Sequence, residues 1–167
     1  MPKERKLLGH FVDSNFVKLT SDDGTPPTGT SYVRIGKHLE QFSEELSPQV
    51  NTFNNILGEQ ISIHTGYQVS SSVEPYYCEE GDPLWTKLED IVNNRKIGSA
   101  CETTVLDVVF NEDLSVDKAF MESALIVPTS YGGDTNGIQI PFTINYNGNR
   151  HRVNFNAATK QVTKYTA

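Results

Sequence analysis

The chain has few of the residues on which several large classes of function depend. Its 167 residues include 2 cysteines, 1 tryptophan and 4 histidines, and its 14 basic residues are outnumbered by 21 acidic ones. The formal charge of −7 argues against general binding to the outside of DNA, which needs clustered lysine and arginine. Two cysteines give no disulfide framework, so we expect Cys78 and Cys101 to be free, buried thiols.

Long apolar runs are also missing. No run approaches the roughly 20 residues that a helix needs to cross a bilayer. The apolar residues that follow the basic N-terminus are interrupted by Gly9, His10 and Asp13, which is not the pattern of a signal peptide. The sequence therefore predicts no membrane span and a protein made in a cytoplasm-like compartment.

The spacings typical of catalytic and metal-binding sites do not occur in the sequence. The serine near Gly132 and Gly133 lacks the GxSxG spacing of a nucleophile elbow, and the acidic stretch 79–82 lacks the alternating ligands of a calcium loop. The histidines stand singly, without HxxxH or HExxH spacing, at His10, His38, His64 and His151. We therefore expect no enzymatic activity, no cofactor and no metal site.

What the chain does have is an apolar content of 37%, with 8 Phe and 7 Tyr, which suffices for the core of a single domain over residues 31–167. Alternation of apolar and polar residues, or short β-branched runs, predict most of its elements to be strands. Asn147-Gly148 predicts a hairpin turn between two of them. The predicted strands are 61–69, 73–78, 103–110, 117–128, 138–146, 151–155 and a C-terminal strand within 161–166.

One helix interrupts the strands, at about 82–96. Asp82 is placed to cap it and Pro83 suits its first position. Its apolar residues form one stripe, which must cover an open face of β-structure: Leu84, Trp85, Leu88, Ile91 and Val92. The sequence therefore predicts a mainly β fold, a β-sandwich or barrel-like domain with one flanking α-helix.

Residues 1–30 have the pattern of an N-terminal arm and linker, because the turn-rich stretch 21–29 separates them from the strands. Burying the arm's apolar side chains gains about as much free energy as fixing its backbone costs. We therefore expect the arm to order only against a neighbouring surface, and deletion of residues 1–20 to leave the core folded but to impair assembly. The arm residues predicted to contact another subunit are Leu7, Leu8, Phe11, Phe16 and Val17.

Residues 33–60 have no single hydrophobic period. Some apolar residues recur at helical spacing, but Gly36, Pro48 and several asparagines oppose a helix. This pattern favours a strand at 32–35, a bent continuation to Leu46, and a long loop whose apolar residues leave the domain. The loop residues predicted to leave the domain and contact a neighbouring surface are Val50, Phe53, Ile56 and Leu57. A contact with the core of the same subunit is the alternative.

The order of these features resembles the major tail tube proteins of long-tailed, non-contractile bacteriophages. The resemblance covers roughly residues 31–146 and includes a Val-rich strand and a Gly-Gly loop before the last apolar hairpin. The motifs that carry it are 32–37 (YVRIGK), Ser47-Pro48 with 51–56, Thr65-Gly66-Tyr67, 81–85 (GDPLW) opening the helix, and 95–100 (RKIGSA) closing it.

This resemblance implies a structural virion protein, assembled in the host cytoplasm and located in the tail. Members form hexameric rings that stack through a long loop and terminal arms, and DNA passes through the lumen without specific binding. The expected partners are copies of the chain itself, a tape measure protein, and tail terminator and tail-tip proteins. An acidic chain suits such a channel, because its wall would repel phosphates.

Two alternatives stay open on the sequence. One is the related tube of a contractile tail or injection system, which a sheath partner would distinguish. The other is a monomeric β-sandwich module that binds carbohydrate or protein through an exposed aromatic platform, for which Tyr76, Tyr77 and Tyr131 are candidates.

Overall fold

The computed structural model describes residues 5–19, 23–36, 39 and 42–166. Within them the chain is mainly β, with one α-helix, so the predicted fold class is confirmed. The strands are β1 (Leu7–Asp13), β2 (Tyr32–Ile35), β3 (Pro48–Asn54), β4 (Gln60–Tyr67), β5 (Ser70–Val73), β6 (Glu102–Phe110), β7 (Val116–Pro128), β8 (Gly132–Asp134), β9 (Gly137–Gln139), β10 (Phe142–Tyr146), β11 (His151–Asn156) and β12 (Gln161–Lys164). The helix is α1 (Pro83–Asn94), and a short 3-10 helix follows at Gly98–Cys101.

Eight strands form one curled antiparallel sheet whose centre is the long strand β7. One edge of β7 pairs with β6, and the sheet continues through β1 to β2. The other edge of β7 pairs first with β10 and then with β11, which carry β5 and β12 on their outer sides. Two further hairpins, β3–β4 and β8–β9, form separate two-stranded sheets.

The two halves of the sheet bury opposite faces. Side chains along a strand alternate between the two faces, so one strand can contribute to both apolar clusters. On β7, Ala124 and Ile126 belong to one apolar cluster, whereas Ala119 and Met121 belong to another. The first cluster is covered by α1, whose buried residues are the predicted stripe of Leu84, Trp85, Leu88, Ile91 and Val92. The second cluster lies around β6, β1 and β11.

The helix begins as its sequence predicts. Asp82 is the N-cap residue, its side chain accepts a hydrogen bond from the backbone N–H of Leu84, and Pro83 follows it. The helix ends at Arg95, which adopts a left-handed conformation with φ of 51° and whose N–H bonds to the last carbonyls. The last helical residue, Asn94, therefore lies about two residues before the predicted end at about 96, beyond which Gly98 was expected to lie.

The prediction that residues 1–30 form an arm was wrong for Leu7–Asp13. This segment is β1, an interior strand paired with β2 and β6, and Phe11 is only 4% exposed. The following loop is also fixed, since the carboxylate of Asp13 accepts hydrogen bonds from the N–H groups of Asn15, Val17 and Ser31. The parts of the predicted arm at residues 1–4 and 20–22 lie outside the described residues.

The predicted hairpin turn at Asn147-Gly148 was also wrong. β10 and β11 do not pair with each other but run in the same direction along one edge of β7. Residues 147–150 lie between Tyr146, which pairs with Ala124, and His151, which pairs with Met121. Only two residues of β7, Glu122 and Ser123, lie opposite these four. The extra residues form an interruption in the strand, and the N–H of Asn147 bonds to the carbonyl of Ser123.

Candidate assembly hairpin and buried charge cluster

The β3–β4 hairpin is the most exposed element that the structure describes. The stretch 33–60 was predicted to continue as a loop, but Pro48–Asn54 instead pairs with Gln60–Tyr67 as an antiparallel strand. Residues 48–67 contain no lysine, arginine or aspartate. Their only carboxylate is that of Glu59, and they include one histidine. The hairpin joins the sheet through a backbone bridge between Glu45 and Ser70 and through β5.

The register of the hairpin gathers apolar side chains on one of its faces. Phe53 lies directly opposite Ile61, and Ile63 follows on the same face, since side chains two residues apart point the same way. The opposite face is mostly polar, and there the hydroxyls of Thr52 and Ser62 lie 3.1 Å apart. Phe53 and Ile63 are each 47% exposed, so much of this apolar face is left open by the residues that the structure describes.

The tip of the hairpin is built to hold two aliphatic side chains in solvent. The side-chain oxygen of Asn55 accepts hydrogen bonds from the N–H groups of Leu57 and Glu59, and Gly58 supplies the positive φ of 79° that the turn requires. Ile56 is 100% exposed and Leu57 is 76% exposed. An ordered turn therefore presents both side chains outward.

The nine residues predicted to make subunit contacts fall into two groups. Val50, Phe53, Ile56 and Leu57 are all exposed and belong to the hairpin. Leu7 and Leu8 are exposed at the start of β1, whereas Phe11 is buried in the second apolar cluster. Phe16 and Val17 are half-buried, and Phe16 packs against the first cluster. Phe11 thus lies in the core of its own subunit and is not available for contact.

Sequence reasoning missed three exposed residues that extend the hairpin surface. Leu46, Ile63 and Tyr67 are each about half exposed, although alternation predicted Ile63 and Tyr67 to be on a half-buried strand. Alternation identifies which residues share a face, but it cannot tell whether that face is covered. Cys78, predicted to be buried, is exposed, whereas Cys101 is buried as predicted.

A cluster of charged side chains lies beside the base of the hairpin, on the sheet face that carries the first apolar cluster. His10 on β1 lies directly opposite Asp107 on β6, and Glu122 on β7 lies diagonally across from Asp107. All three are buried. Glu44 approaches from the segment that leads into β3, and Arg150 approaches from the interruption between β10 and β11.

The cluster is joined by short contacts that centre on Asp107. Nδ1 of His10 lies 2.7 Å from Oδ1 of Asp107, and Nη1 of Arg150 lies 2.7 Å from Oδ2. The same Nη1 is 3.4 Å from Glu122, whose other oxygen accepts a hydrogen bond from the N–H of Gly148. The guanidinium of Arg150 also packs on the ring of Phe120, at 4.7 Å.

Three carboxyl groups in one buried cluster cannot all ionise at little cost. Burial, together with a hydrogen bond and repulsion from Asp107, raises the pKa of Glu44 to about 8. Burial alone would raise the pKa of Asp107, but hydrogen bonds from His10, Glu44 and Arg150 lower it below its ordinary value. Near neutral pH Glu44 is therefore the protonated partner, and Asp107 is the carboxylate that accepts a hydrogen bond from it.

One buried polar atom of the cluster has no hydrogen-bond partner among the described residues, namely Oε1 of Glu44. Protonation of Glu44 lowers the cost of this unpaired atom, because burying a neutral carboxyl group costs less free energy than burying a carboxylate. His10, Glu44 and Asp107 have ligand atoms within 4.8 Å of one another, a spacing open to a cation. Because Arg150 already supplies the positive charge at Asp107, a proton at Glu44 fits the arrangement better.

Comparisons with family models, with curated proteins and with solved structures gave no match. The function is therefore inferred from this chain's own residues and geometry. Across residues 5–19, 23–36, 39 and 42–166, no helix is long and apolar enough to span a membrane.

Proposed function

We propose that this chain polymerises with copies of itself into the tail tube of a long-tailed, non-contractile bacteriophage. The proposed tube is a stack of hexameric rings in the virion tail, assembled in the host cytoplasm, with a lumen through which DNA passes into the host. The observation that carries the proposal is the β3–β4 hairpin, an ordered, almost uncharged element whose tip and one face expose aliphatic and aromatic side chains.

The hairpin supports assembly because contiguous apolar surface of this kind marks interaction sites in soluble proteins. Removing Ile56 and Leu57 from water at an interface is worth about 1.5–3 kcal/mol for each side chain. Charged residues, which are depleted from the cores of interfaces, are almost missing from the hairpin. Its long, projecting form suits a contact between stacked rings better than a flat contact between two monomers.

The remaining parts of the proposal rest on the resemblance and on charge. A formal charge of −7 suits a lumen along which phosphates slide without binding. The hexameric number, the tape measure protein in the lumen, and the terminator and tail-tip proteins at the two ends are what the resemblance implies. The distinction from the tube of a contractile tail depends on the presence of a sheath.

The test is negative-stain electron microscopy and sedimentation of the purified protein, with and without purified tail-tip protein. We expect rings or tubes of uniform bore from the wild type. The double variant I56S/L57S should stay unassembled, because it loses the apolar tip, while its circular dichroism spectrum and melting temperature stay those of the wild type.

A matched control is available in Leu114, which is 63% exposed in the turn between β6 and β7. The variant L114S makes the same chemical change at similar exposure and should assemble normally. A wild-type protein that stays monomeric at high concentration with tail-tip protein present would overturn the proposal and favour a monomeric binding module. Co-purification of the tubes with a sheath protein would favour a contractile tail.

A further inference from the structure

We propose that the hairpin tip of one copy docks into an apolar groove at the end of α1 on a second copy. The groove lies between the last turn of α1, the segment after it, and the C-terminal end of β7. This inference rests on the proposed self-assembly and names the acceptor surface for the hairpin.

The groove has a volume of about 590 Å³ and a largely aliphatic and aromatic lining. Ile91 and Leu125 lie in its wall, and Val127 and Tyr131 lie along its rim. Ile97 follows the helix, lines the groove and is 85% exposed, although isoleucine is among the residues most often buried in proteins. The groove is thus a second apolar surface that the subunit itself leaves uncovered.

The tip and the groove match in chemistry. The tip offers two aliphatic side chains on an ordered turn, Ile56 and Leu57, and the groove offers an apolar concavity large enough for both. The only carboxylate of the hairpin, Glu59, follows the tip immediately. The groove carries two cationic side chains, those of Arg95 and Lys96.

These cations remain available for Glu59. Nη1 of Arg95 donates to the carbonyl of Val92 at the end of α1, which leaves the rest of its guanidinium free to donate. Lys96 pairs with Asp90, and both side chains are about two-fifths exposed. An exposed ion pair of this kind costs little to rearrange. With Asp90 counted, the groove keeps one net positive charge against the negative charge of the tip.

The tip and the groove are different surfaces, so a contact in which one tip fills one groove, without the reciprocal contact, is heterologous. A heterologous contact leaves a free tip at one end of any pair and a free groove at the other. Such a contact either closes into a ring or continues without limit, whereas a self-complementary contact would stop at a dimer. The tip–groove contact therefore suits an assembly that grows by repeated addition of the same subunit.

Crosslinking tests the contact directly. In a C78S background, which removes the exposed native thiol, L57C protein is mixed with I97C protein and oxidised. We expect a disulfide-linked dimer that contains one chain of each kind. L57C mixed with L114C is the control, because Leu114 is also well exposed, at 63%, but lies in the turn between β6 and β7. This pair should stay unlinked.

The outcomes separate the two proposals. Tubes that form while L57C links no more to I97C than to L114C overturn the groove and leave the tube function standing. Specific linkage of L57C to I97C without tubes supports the contact and overturns the tube. Neither linkage nor tubes overturns both.

Charge reversal gives a second, independent readout. The variant E59K should need a several-fold higher protein concentration to assemble, because it replaces an attraction at the groove by a repulsion. Adding R95E and K96E to the same chain should restore assembly. E112K, which makes the same change in an exposed turn, is the matched control and should assemble as the wild type does. Failure of the compensating changes to restore assembly would overturn the pairing.

Discussion

Glu44 is the residue on which the buried charge cluster depends for its balance. Among the groups that face it, His10, Asp107, Glu122 and Arg150, the two other carboxyl groups repel its negative form. Its neighbour Glu45 bonds through its backbone to Ser70, at the base of the hairpin. The protonation of one buried side chain is therefore linked to the segment from which the hairpin projects.

The sign of the pH dependence follows from the raised pKa of Glu44, about 8 against an ordinary value of 4.5. Below pH 4.5 the group is neutral in the folded and the unfolded chain, so its contribution to stability is complete. As the pH rises towards 8, the unfolded chain ionises this carboxyl while the folded chain keeps its proton, and stability is lost. Above pH 8 the loss is constant.

The variant E44Q removes this dependence, since a glutamine amide can still donate to Asp107 but cannot ionise. We expect E44Q to gain stability relative to the wild type as the pH rises from 4.5 to 8, measured by urea denaturation at several pH values. E45Q changes the exposed neighbour and is the control, which should follow the wild type. A constant difference between E44Q and the wild type across this range would contradict the assignment.

At the scale of single elements, α1 shows what local sequence determines. A cap at Asp82, a proline after it and one apolar stripe lie within a few residues of one another, and they predicted both the helix and its buried face. The C-terminal end was less predictable. Gly98 was expected just beyond it, but Arg95 takes the left-handed conformation and ends the helix earlier.

The cap allows a quantitative prediction. The carboxylate of Asp82 accepts hydrogen bonds from the N–H of Leu84 and, at 2.5 Å, from the hydroxyl of Tyr76. D82A should lower the free energy of unfolding by about 1–3 kcal/mol, because it removes a cap and leaves a half-buried hydroxyl without a partner. Fluorescence of Trp85, the single tryptophan, follows the unfolding from within the same helix.

D82N is the matched variant, because asparagine caps helices about as well as aspartate does. It should keep most of the stability that D82A loses. Equal losses in D82A and D82N would show that the carboxylate charge, and not the cap, stabilises this end of α1.

The failed hairpin prediction shows where local sequence is insufficient. Asn147-Gly148 has the residues of a tight turn, and the flanking segments alternate as paired strands do. The partner that both segments take instead is β7, whose length allows β10 and β11 to lie end to end on the same edge. The pairing depends on a segment about 14 to 34 residues earlier in the chain, which the local pattern does not reveal.

At the scale of the whole molecule, β1 departs from its predicted place in an arm, whereas the predicted loop residues Val50, Phe53, Ile56 and Leu57 are exposed as expected. The arm's apolar residues were expected to lack a partner, because their partners on β6 are about a hundred residues away in the chain. The hairpin includes a segment with no clear hydrophobic period, because its two strands do not pack on an apolar core. The exposure of the hairpin tip could be anticipated from the sequence, whereas that of Ile63 and Tyr67 could not. The charge cluster could not be anticipated either, because its residues come from three strands and two connecting segments.

Two deletions test these roles. Removing residues 1–20 takes away a strand that pairs on both edges and buries Phe11 and Val12, so we expect loss of cooperative unfolding in a thermal melt followed by circular dichroism.

Replacing residues 49–66 by a short Gly-Asn turn between Pro48 and Tyr67 should leave a folded monomer that does not form tubes, since those two residues are paired across the hairpin base.

A shorter deletion of residues 2–5, which lie before β1, is the control and should melt as the wild type does. A folded protein after deletion of residues 1–20 would contradict the interior position of β1. Tubes from the protein that lacks the hairpin would contradict its role in assembly.

The positions of β1 and the hairpin along the chain also set the order in which they can fold during synthesis. The hairpin is complete once Tyr67 has left the ribosome, and its contacts are local. The central sheet must wait until β6 and β7 have emerged, because β1 pairs with β6 across about a hundred residues. A nascent chain therefore exposes the apolar surface of the hairpin before its core has formed. Neighbouring ribosomes on one message would hold such chains close together, and that crowding favours mispairing as well as early assembly.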